Sequence, residues 1–336
     1  MSRSPRISII SPSFQQADYL AACLRSVQDQ KGVEVEHIVV DGGSTDGSRE
    51  ILQRHADGLA WWCSEDDRGQ SDAINKGLAH ATGDVVNWLN SDDLLLPGAL
   101  ERVARAFADD PDLNVYGGRV IHRSAQGDHV FEKLNEVSDA DGLFIDPVIN
   151  QPATFYRTEV LREQGGVDPA LRYVMDLALW WGMLFRHGVA GLRFDPVELA
   201  LFRLHDASKT TTSMAGFLDE TATLLHQLAT DTGCRDWAAL LAALHDPRPG
   251  LRRIPVREDH VAIVPRMVMH FVLKWHGTIH QRREFMALRE ALPLLEAHIP
   301  PRGTWERERV AALREQLRVG GWSLFRLRRK LKHLGR

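Results

Sequence analysis

Asp84-Val85-Val86-Asn87-Trp88-Leu89-Asn90-Ser91-Asp92-Asp93 decides the fold. Its first half is apolar and β-rich enough to be a buried strand, and it stops abruptly on two adjacent carboxylates followed by Leu94-Leu95-Leu96-Pro97. Two acids therefore stand at the C-terminal edge of a strand. In an open α/β sheet that edge is where ligands bind, and paired carboxylates there suit a hard divalent cation shared with phosphates. They equally suit the N-cap of a helix started by Pro97, since acids favour helix N-termini. From this stretch alone both readings stand.

Upstream, strand and helix alternate. Ile7-Ser8-Ile9-Ile10-Ser11-Pro12 reads as a first strand, and Leu20, Cys23, Leu24 and Val27 are spaced for a helix ending near Gly32. Glu36 to Asp41 is a second strand, running into the turn Gly42-Gly43-Ser44-Thr45-Asp46-Gly47-Ser48, whose hydroxyls and acid can cap a helix through Ile51 and Leu52. Residues 59–64 give a third strand, 69–81 a helix closed by Gly83, and 84–89 the strand quoted above. Such alternation calls for a parallel, doubly wound sheet with right-handed crossovers.

Downstream the pattern predicts a helix over 97–108, a hairpin from 113–123 and 129–133, a strand over 151–157, a helix over 173–187 carrying Asp176 in its opening turn, and an extended run over 191–204 leading to His205. Of Trp61-Trp62 and Trp180-Trp181, one member of each pair is expected to face away from the core. Beyond Met214 the chain turns helical, at 217–230, 237–244, 261–275, 282–297 and 306–318, with prolines between. The apolar stretch 263–275 contains Pro265, Arg266, His270 and Lys274, too short and too polar to span a bilayer.

In the 336 residues, 44% apolar and 26% charged, three scattered cysteines give neither a disulfide framework nor a zinc pattern, which fits a reducing cytoplasm. The N-terminal stretch lacks the apolar core of a signal peptide, so a cytoplasmic location is expected. The net charge of −4 hides an asymmetry: residues 241–336 hold 20 Lys/Arg against 9 Asp/Glu, or +11, leaving 21 against 36, or −15, for residues 1–240. An acidic body argues against nucleic-acid binding, and the basic end argues for an anionic surface contacted by the tail.

Neither a Gly-x-x-x-x-Gly-Lys-Ser/Thr loop, a dinucleotide fingerprint nor a Gly-x-Ser-x-Gly elbow is present, so ATPases, nicotinamide enzymes and α/β-hydrolases are unsupported. What remains is a set of acids at sheet edges (Asp41, Asp67, Asp92, Asp93), Asp176 at the start of a helix, and His205 after the last strand. A cation held there would stabilise a departing diphosphate while a separate carboxylate deprotonates an incoming hydroxyl. Each residue also has a structural reading: Asp41 and Asp46 as turn residues, Asp176 as a helix cap, His205 as a hydrogen-bonder.

Ile9-Ile10-Ser11-Pro12-Ser13-Phe14, Val39-Val40-Asp41-Gly42-Gly43-Ser44-Thr45-Asp46-Gly47-Ser48, Ser64-Glu65-Asp66-Asp67-Arg68-Gly69-Gln70, Asp72-Ala73-Ile74-Asn75-Lys76-Gly77 and Trp88-Leu89-Asn90-Ser91-Asp92-Asp93 occur in order and with the spacing of family 2 glycosyltransferases. Over residues 5–212 the chain resembles bacterial members that build exopolysaccharide or lipopolysaccharide O-chains. The resemblance implies a GT-A fold, a Rossmann-like doubly wound and mostly parallel sheet, here with a C-terminal helical extension. It also implies a nucleotide-sugar donor (UDP-, GDP- or dTDP-linked), a glycan or lipid-linked acceptor, a divalent metal (Mg or Mn) and inversion at the anomeric carbon. Carried over residue by residue, Pro12 and Phe14 border the base, Asp41 binds the nucleoside, and Asp67 and Gly69 line the nucleotide pocket. Asp92 and Asp93 match the metal motif, with Asp93 the direct ligand and Asp92 nearer the ribose or sugar; Asp176 matches the catalytic base, and His205 a metal or diphosphate contact. Two positions depart from the family pattern: Gln15 stands where Asn is common, and Val174-Met175-Asp176 lacks a Glu-Asp pair.

The expected organisation is a transferase domain over 1–212, a helical extension over 213–317 and a basic amphipathic tail over 318–336. From Arg318 to Arg336 there are seven Lys/Arg and no acid, and Leu324, Leu327, Leu331 and Leu334 fall on one helical stripe. Such a tail suits a peripheral position on the inner face of the cytoplasmic membrane, or docking on the chain's own acidic body. The rival functions are a sugar nucleotidyltransferase, for which no glycine-rich N-terminal loop followed by basic residues is found, and a non-catalytic nucleotide- or glycan-binding module.

Overall fold

A computed structural model describes residues 4–205, 213–318 and 320–327. The expected domain boundary at 212 and the tail residues 328–336, including Leu331 and Leu334, lie outside the described residues. The chain divides into two compact units, one of residues 1–143 and 147–214, the other of residues 144–146 and 215–336.

The first unit is built on strand β1 (Ile7–Ser13), buried along its whole length because it lies mid-sheet with β2 (Val35–Asp41) on one side and β4 (Val85–Trp88) on the other, all parallel. Strand β3 (Trp61–Ser64) extends the parallel set beyond β2. Helices α1 (Ala17–Gln28), α2 (Ser48–His55) and α3 (Gln70–His80) make the crossovers. Gly77 shows how closely α3 lies on the sheet: a Cβ there would sit 2.4 Å from Ile10 Cγ2, so only glycine permits this approach. The register pairs Ser13 with Asp41 and Asp41 with Ser64, so these strands end side by side and present their last residues along one edge.

After β4 the topology changes. The sheet order is β3-β2-β1-β4-β8-β6-β9-β5, with β7 paired to β6, where β5 is Leu94–Leu95, β6 Val115–Ser124, β7 Gly127–Phe131, β8 Thr154–Arg157 and β9 Leu192–Arg203. Strand β8 runs antiparallel to both β4 and β6, whereas β9 runs parallel to β6 and antiparallel to β5. The sheet is mixed, with its β3-β2-β1-β4 half wholly parallel, as the expected GT-A fold requires. Helix α4 (Ala99–Asp109) packs Leu100, Val103, Ala104 and Phe107 into the core shared by β1, β4, β6 and β8.

The predicted helices and strands appear within a few residues of their expected bounds, and three short elements join them: β5, α5 (Ala140–Ile145) and α6 (Thr158–Glu163). Short segments carry too few periods to declare themselves in sequence. One expectation is overturned. Trp180 and Trp181 are both buried, because α7 (Met175–His187) is enclosed from Ala178 through Phe185 and no face of that stretch is left for solvent.

The second unit is helical: α8 (Met214–Asp231), α9 (Arg235–Leu244), α10 (Val264–Trp275), α11 (Arg282–Ala297) and α12 (Thr304–Leu317). Among the described residues no helix is long and apolar enough to cross a membrane.

Candidate active site

The edge formed by the ends of β1, β2, β3 and β4 collects most of the acids singled out in sequence. Asp41, the last residue of β2, is buried and holds the glycine-rich turn from within. Its Oδ2 accepts from Ser44 N (2.9 Å) and Ser64 Oγ (2.7 Å), and its Oδ1 from Ser44 Oγ (2.6 Å). Three bonds occupy most of a carboxylate's four acceptor positions. Asp46 performs the turn role foreseen for it: it accepts from Ala17 N, Ser48 N and Ser48 Oγ. Burial opposes its charge, but these donors outweigh that and hold the carboxyl below its usual range.

Pro12 lies buried in β1, and Phe14 follows the strand with its ring 60% exposed, an unusual position for a large apolar side chain and one open to stacking. Between Phe14 and α1, Gln15 adopts φ 54°, the left-handed region that Asn enters more readily than Gln. Its backbone N–H donates to Ser44 Oγ at 2.8 Å, which ties the end of β1 to the Asp41 turn. Asp67, in the loop after β3, accepts from Gly69 N at 2.7 Å, and Gly69 takes φ 114°, which a side chain would resist. The Asp67 carboxylate comes so close to Gly42 that a Cβ there would lie 2.8 Å from Oδ2. Loops carrying Asp41 and Asp67 thus touch.

The Asp92-Asp93 pair sits in the turn between β4 and β5. The cap reading fails, since α4 begins after Gly98 and β5 intervenes. Asp93 N donates to Asn90 O at 2.9 Å, and Gln70 Nε2 donates to Asn90 Oδ1 at 2.6 Å, joining the start of α3 to this turn. Asp93 is fully buried. Its Oδ1 accepts from Arg203 N at 3.1 Å while Oδ2 has no hydrogen-bond partner, and burial, then the neighbouring Asp92 charge, push the carboxyl well above its usual range. Asp92 keeps partial exposure and takes His205 Nε2 at 3.1 Å from Oδ2.

Arg203, the last residue of β9, completes the cluster, and sequence reading missed it. Its Nε donates to Asp92 O and its Nη2 to Tyr19 O, and the guanidinium lies 4.8 Å from the centroid of the Tyr19 ring. The His205 ring stacks on Tyr19 at a centroid distance of 4.8 Å. Burial works against the Arg203 charge, which is nonetheless kept beside two acids. The available signal was a cation two residues before His205 at the end of a predicted strand.

Asp176 occupies the first turn of α7, where Oδ1 accepts from Leu177 N at 2.8 Å. Its charge acts on Tyr156, a buried residue of β8 whose ring lies parallel to Trp88 of β4 at 6.3 Å. Burial first and Asp176 second push the Tyr156 hydroxyl upward. So the structure joins Asp92 to His205, Asp93 to Arg203 and Asp67 to the Asp41 turn by direct contact, and Asp176 neighbours Tyr156 on the strand adjoining β4.

Among the described residues no three His, Cys, Asp or Glu side chains are gathered closely enough to hold a metal ion by themselves. What this turn offers a cation is narrower: Asp93 Oδ2, a buried carboxylate oxygen without a hydrogen-bond partner, and the adjacent Asp92 carboxylate, hard oxygen donors of the kind Mg or Mn accepts.

Comparison with known proteins follows the same line. The model of the family described as glycosyl transferase family 2 matches residues 8–162. A PGL/p-HBAD biosynthesis glycosyltransferase of Mycobacterium bovis BCG is 32% identical over 177 residues, covering 52% of this chain and 67% of that protein. The structure of TarS residues 1–349 from S. aureus in complex with UDP-GlcNAc superposes with a TM-score of 0.63 at 15% identity, over 94% of this chain and 93% of that one. The mannosyltransferase PcManGT of Pyrobaculum calidifontis, in complex with GDP-Man and Mn2+, gives a TM-score of 0.52 at 17% identity, over 94% and 88%. A strand edge that gathers these acids, the family match over that edge and a relative at this level of identity lead to one conclusion: the chain belongs to glycosyl transferase family 2.

Proposed function

We propose that the chain is an inverting, metal-dependent glycosyltransferase that moves a hexose from a nucleotide-sugar donor to a glycan or lipid-linked glycan. Residues 1–212 form the transferase domain in this reading, 213–317 the helical extension and 318–336 the tail. The observation that carries it is the unpartnered, buried Asp93 Oδ2 in the turn after β4, next to Asp92, whose carboxylate meets His205. An oxygen atom of a charged group left without a donor in a protein interior is expensive unless a ligand completes it.

Phe14, Pro12, Asp41, Asp67 and Gly69 provide the nucleoside side of the site: an exposed ring for the base, and two acid-stiffened loops to border the ribose. Asp93, Asp92 and His205 would hold a Mg or Mn ion. Such a cation neutralises the charge that develops on the leaving diphosphate. Arg203, pinned by Asp92 O and Tyr19 O, fixes the β9 end against the Asp92-Asp93 turn. Asp176 lies at the positive end of the α7 dipole, which favours the ionised carboxylate and so readies it to take the proton of an attacking hydroxyl. The complexes of UDP-GlcNAc with TarS and of GDP-Man and Mn2+ with PcManGT support a nucleotide-sugar donor and a metal.

Incubating the chain with a panel of UDP-, GDP- and dTDP-sugars and Mn2+ is expected to release a nucleoside diphosphate slowly from one donor, with release stopped by chelator. Pyrophosphate release from a nucleoside triphosphate and sugar phosphate would instead identify a nucleotidyltransferase, and neither product a binding module.

A peripheral position on the cytoplasmic membrane face, where lipid-linked acceptors are held, is the location this reading favours. Leu324 and Leu327 are 56% and 55% exposed, and seven Lys/Arg without an acid run from Arg318 to Arg336. Each basic residue near an anionic leaflet contributes about 1 kcal/mol. In vesicle flotation the full chain should float with anionic vesicles at low salt and one truncated after Gly320 should not. Equal, salt-insensitive partitioning of the two removes the membrane from the reading.

A further inference from the structure

In the helical unit, His245 and His276 face each other across the ends of two helices. His245 follows α9 and His276 follows α10, each donating its backbone N–H back into its helix, to Leu241 O and Val272 O respectively, both at 2.8 Å. Their Nε2 atoms are 3.0 Å apart. The opposite ring nitrogens are each held by an acid: His245 Nδ1 by Asp219 of α8 at 3.0 Å, His276 Nδ1 by Glu284 of α11 at 3.1 Å. Glu284 is itself fixed by the backbone N–H groups of His280 and Gln281, and Phe271 packs against both rings. Arg283 also reaches this corner, donating to the carbonyls of Ala242, Ala243 and His245 and to Asp246, whose charge interacts with His245. Both imidazoles are buried.

The two carboxylates dictate the tautomers. A carboxylate only accepts, so each Nδ1 must carry hydrogen, and with both rings neutral two Nε2 lone pairs would confront each other at 3.0 Å. One added proton turns that confrontation into an N–H donating to an acceptor, and both rings lie at helix C-termini, where positive charge is favoured. A second added proton would aim two N–H groups at each other inside the protein. We propose that His245 and His276 form a one-proton latch, which closes the ends of α9 and α10 onto the start of α11 at neutral pH and opens on acidification.

The direction for His276 agrees: burial chiefly, and the charge of His245 after it, lower its affinity for a proton, against the pull of Glu284. A histidine shifted downward by folding contributes stability that is present above its unfolded value near pH 6.5 and is lost as pH falls toward the folded value. One such group raises the unfolding equilibrium constant by up to about tenfold for each pH unit through that window.

The test is thermal and denaturant unfolding of the full chain between pH 7.5 and 5, beside His276→Gln, whose amide can accept from His245 without titrating. The wild type should lose stability more steeply below about pH 6.5 than the variant, by up to that tenfold per unit. Hydrogen exchange on the wild type should show residues 241–246 and 276–284 opening in the same window, which decides the matter if the variant fails to fold. Equal slopes in the two proteins, or no local opening, overturns the latch. So does a melting point that rises with added Zn2+ and falls with chelator at pH 7, since a metal would then be the cation between the rings.

Discussion

Asp93→Asn is expected to lower transfer by at least about 10²-fold at saturating donor and Mn2+, while its melting temperature in chelator stays at or above that of the wild type. Two different terms move in opposite directions here. The amide keeps an oxygen to accept from Arg203 N, so the link between β9 and the Asp92-Asp93 turn persists. Removing the charge relieves a fully buried carboxylate whose Oδ2 has no partner, an arrangement that costs several kcal/mol, whereas the unpaired amide left behind costs about 1–3 kcal/mol. A merely structural acid would give the reverse pattern, with unchanged turnover and a lowered melting point. Chelator should reproduce the activity loss in the wild type and add nothing in the variant. Full activity of Asp93→Asn in chelator would sink the metal assignment.

Asp176→Asn separates chemistry from binding. The substitution preserves shape and keeps an oxygen at the first turn of α7 for the Leu177 N–H, and the lost helix-dipole interaction costs only about 0.3–1 kcal/mol. A general base removed from a proton-transfer step, by contrast, costs roughly 10²–10⁴ in rate. The expected result is kcat for transfer reduced by that factor, with the donor KM and the nucleotide-dependent shift in melting temperature unchanged. Weakened donor binding with ordinary turnover would move Asp176 to the nucleotide side of the site and leave the base to another residue.

What could be foreseen was whatever depends on short sequence distances. Alternating strand and helix from Ile7 to Trp88 follows from periodicity and turn chemistry, because each element buries its own apolar face and each turn residue acts on neighbours two or three positions away. The acids at the strand ends were visible for the same reason: a run such as Val85-Val86-Asn87-Trp88 can only be buried, so the first charges after it mark where it emerges. Asp46 as a turn residue belongs to this class, since its partner Ser48 is two residues away.

Choices between equally local alternatives were made by tertiary contacts. Asp92 and Asp93 suited a helix cap until β9, more than a hundred residues later, paired with Leu94 and Leu95 and drew the turn away from α4. Arg203 entered the site only through that pairing, and Tyr19 only because α1 packs beside it. The antiparallel insertion of β8 between β4 and β6 has no sequence mark, as strand order depends on which edge remains free when the segment arrives. Trp180-Trp181 was misjudged for a related reason: amphipathic spacing tells how many faces of a helix need cover, and α7 is covered on all of them. Composition and period determined the layered α/β body, the strand edge that gathers its acids and the helical third. Only the folded chain decided which acids are buried with an oxygen left unpartnered, because that depends on donors brought from distant segments, and the unpartnered Oδ2 is what distinguishes Asp93 from the other acids of this edge.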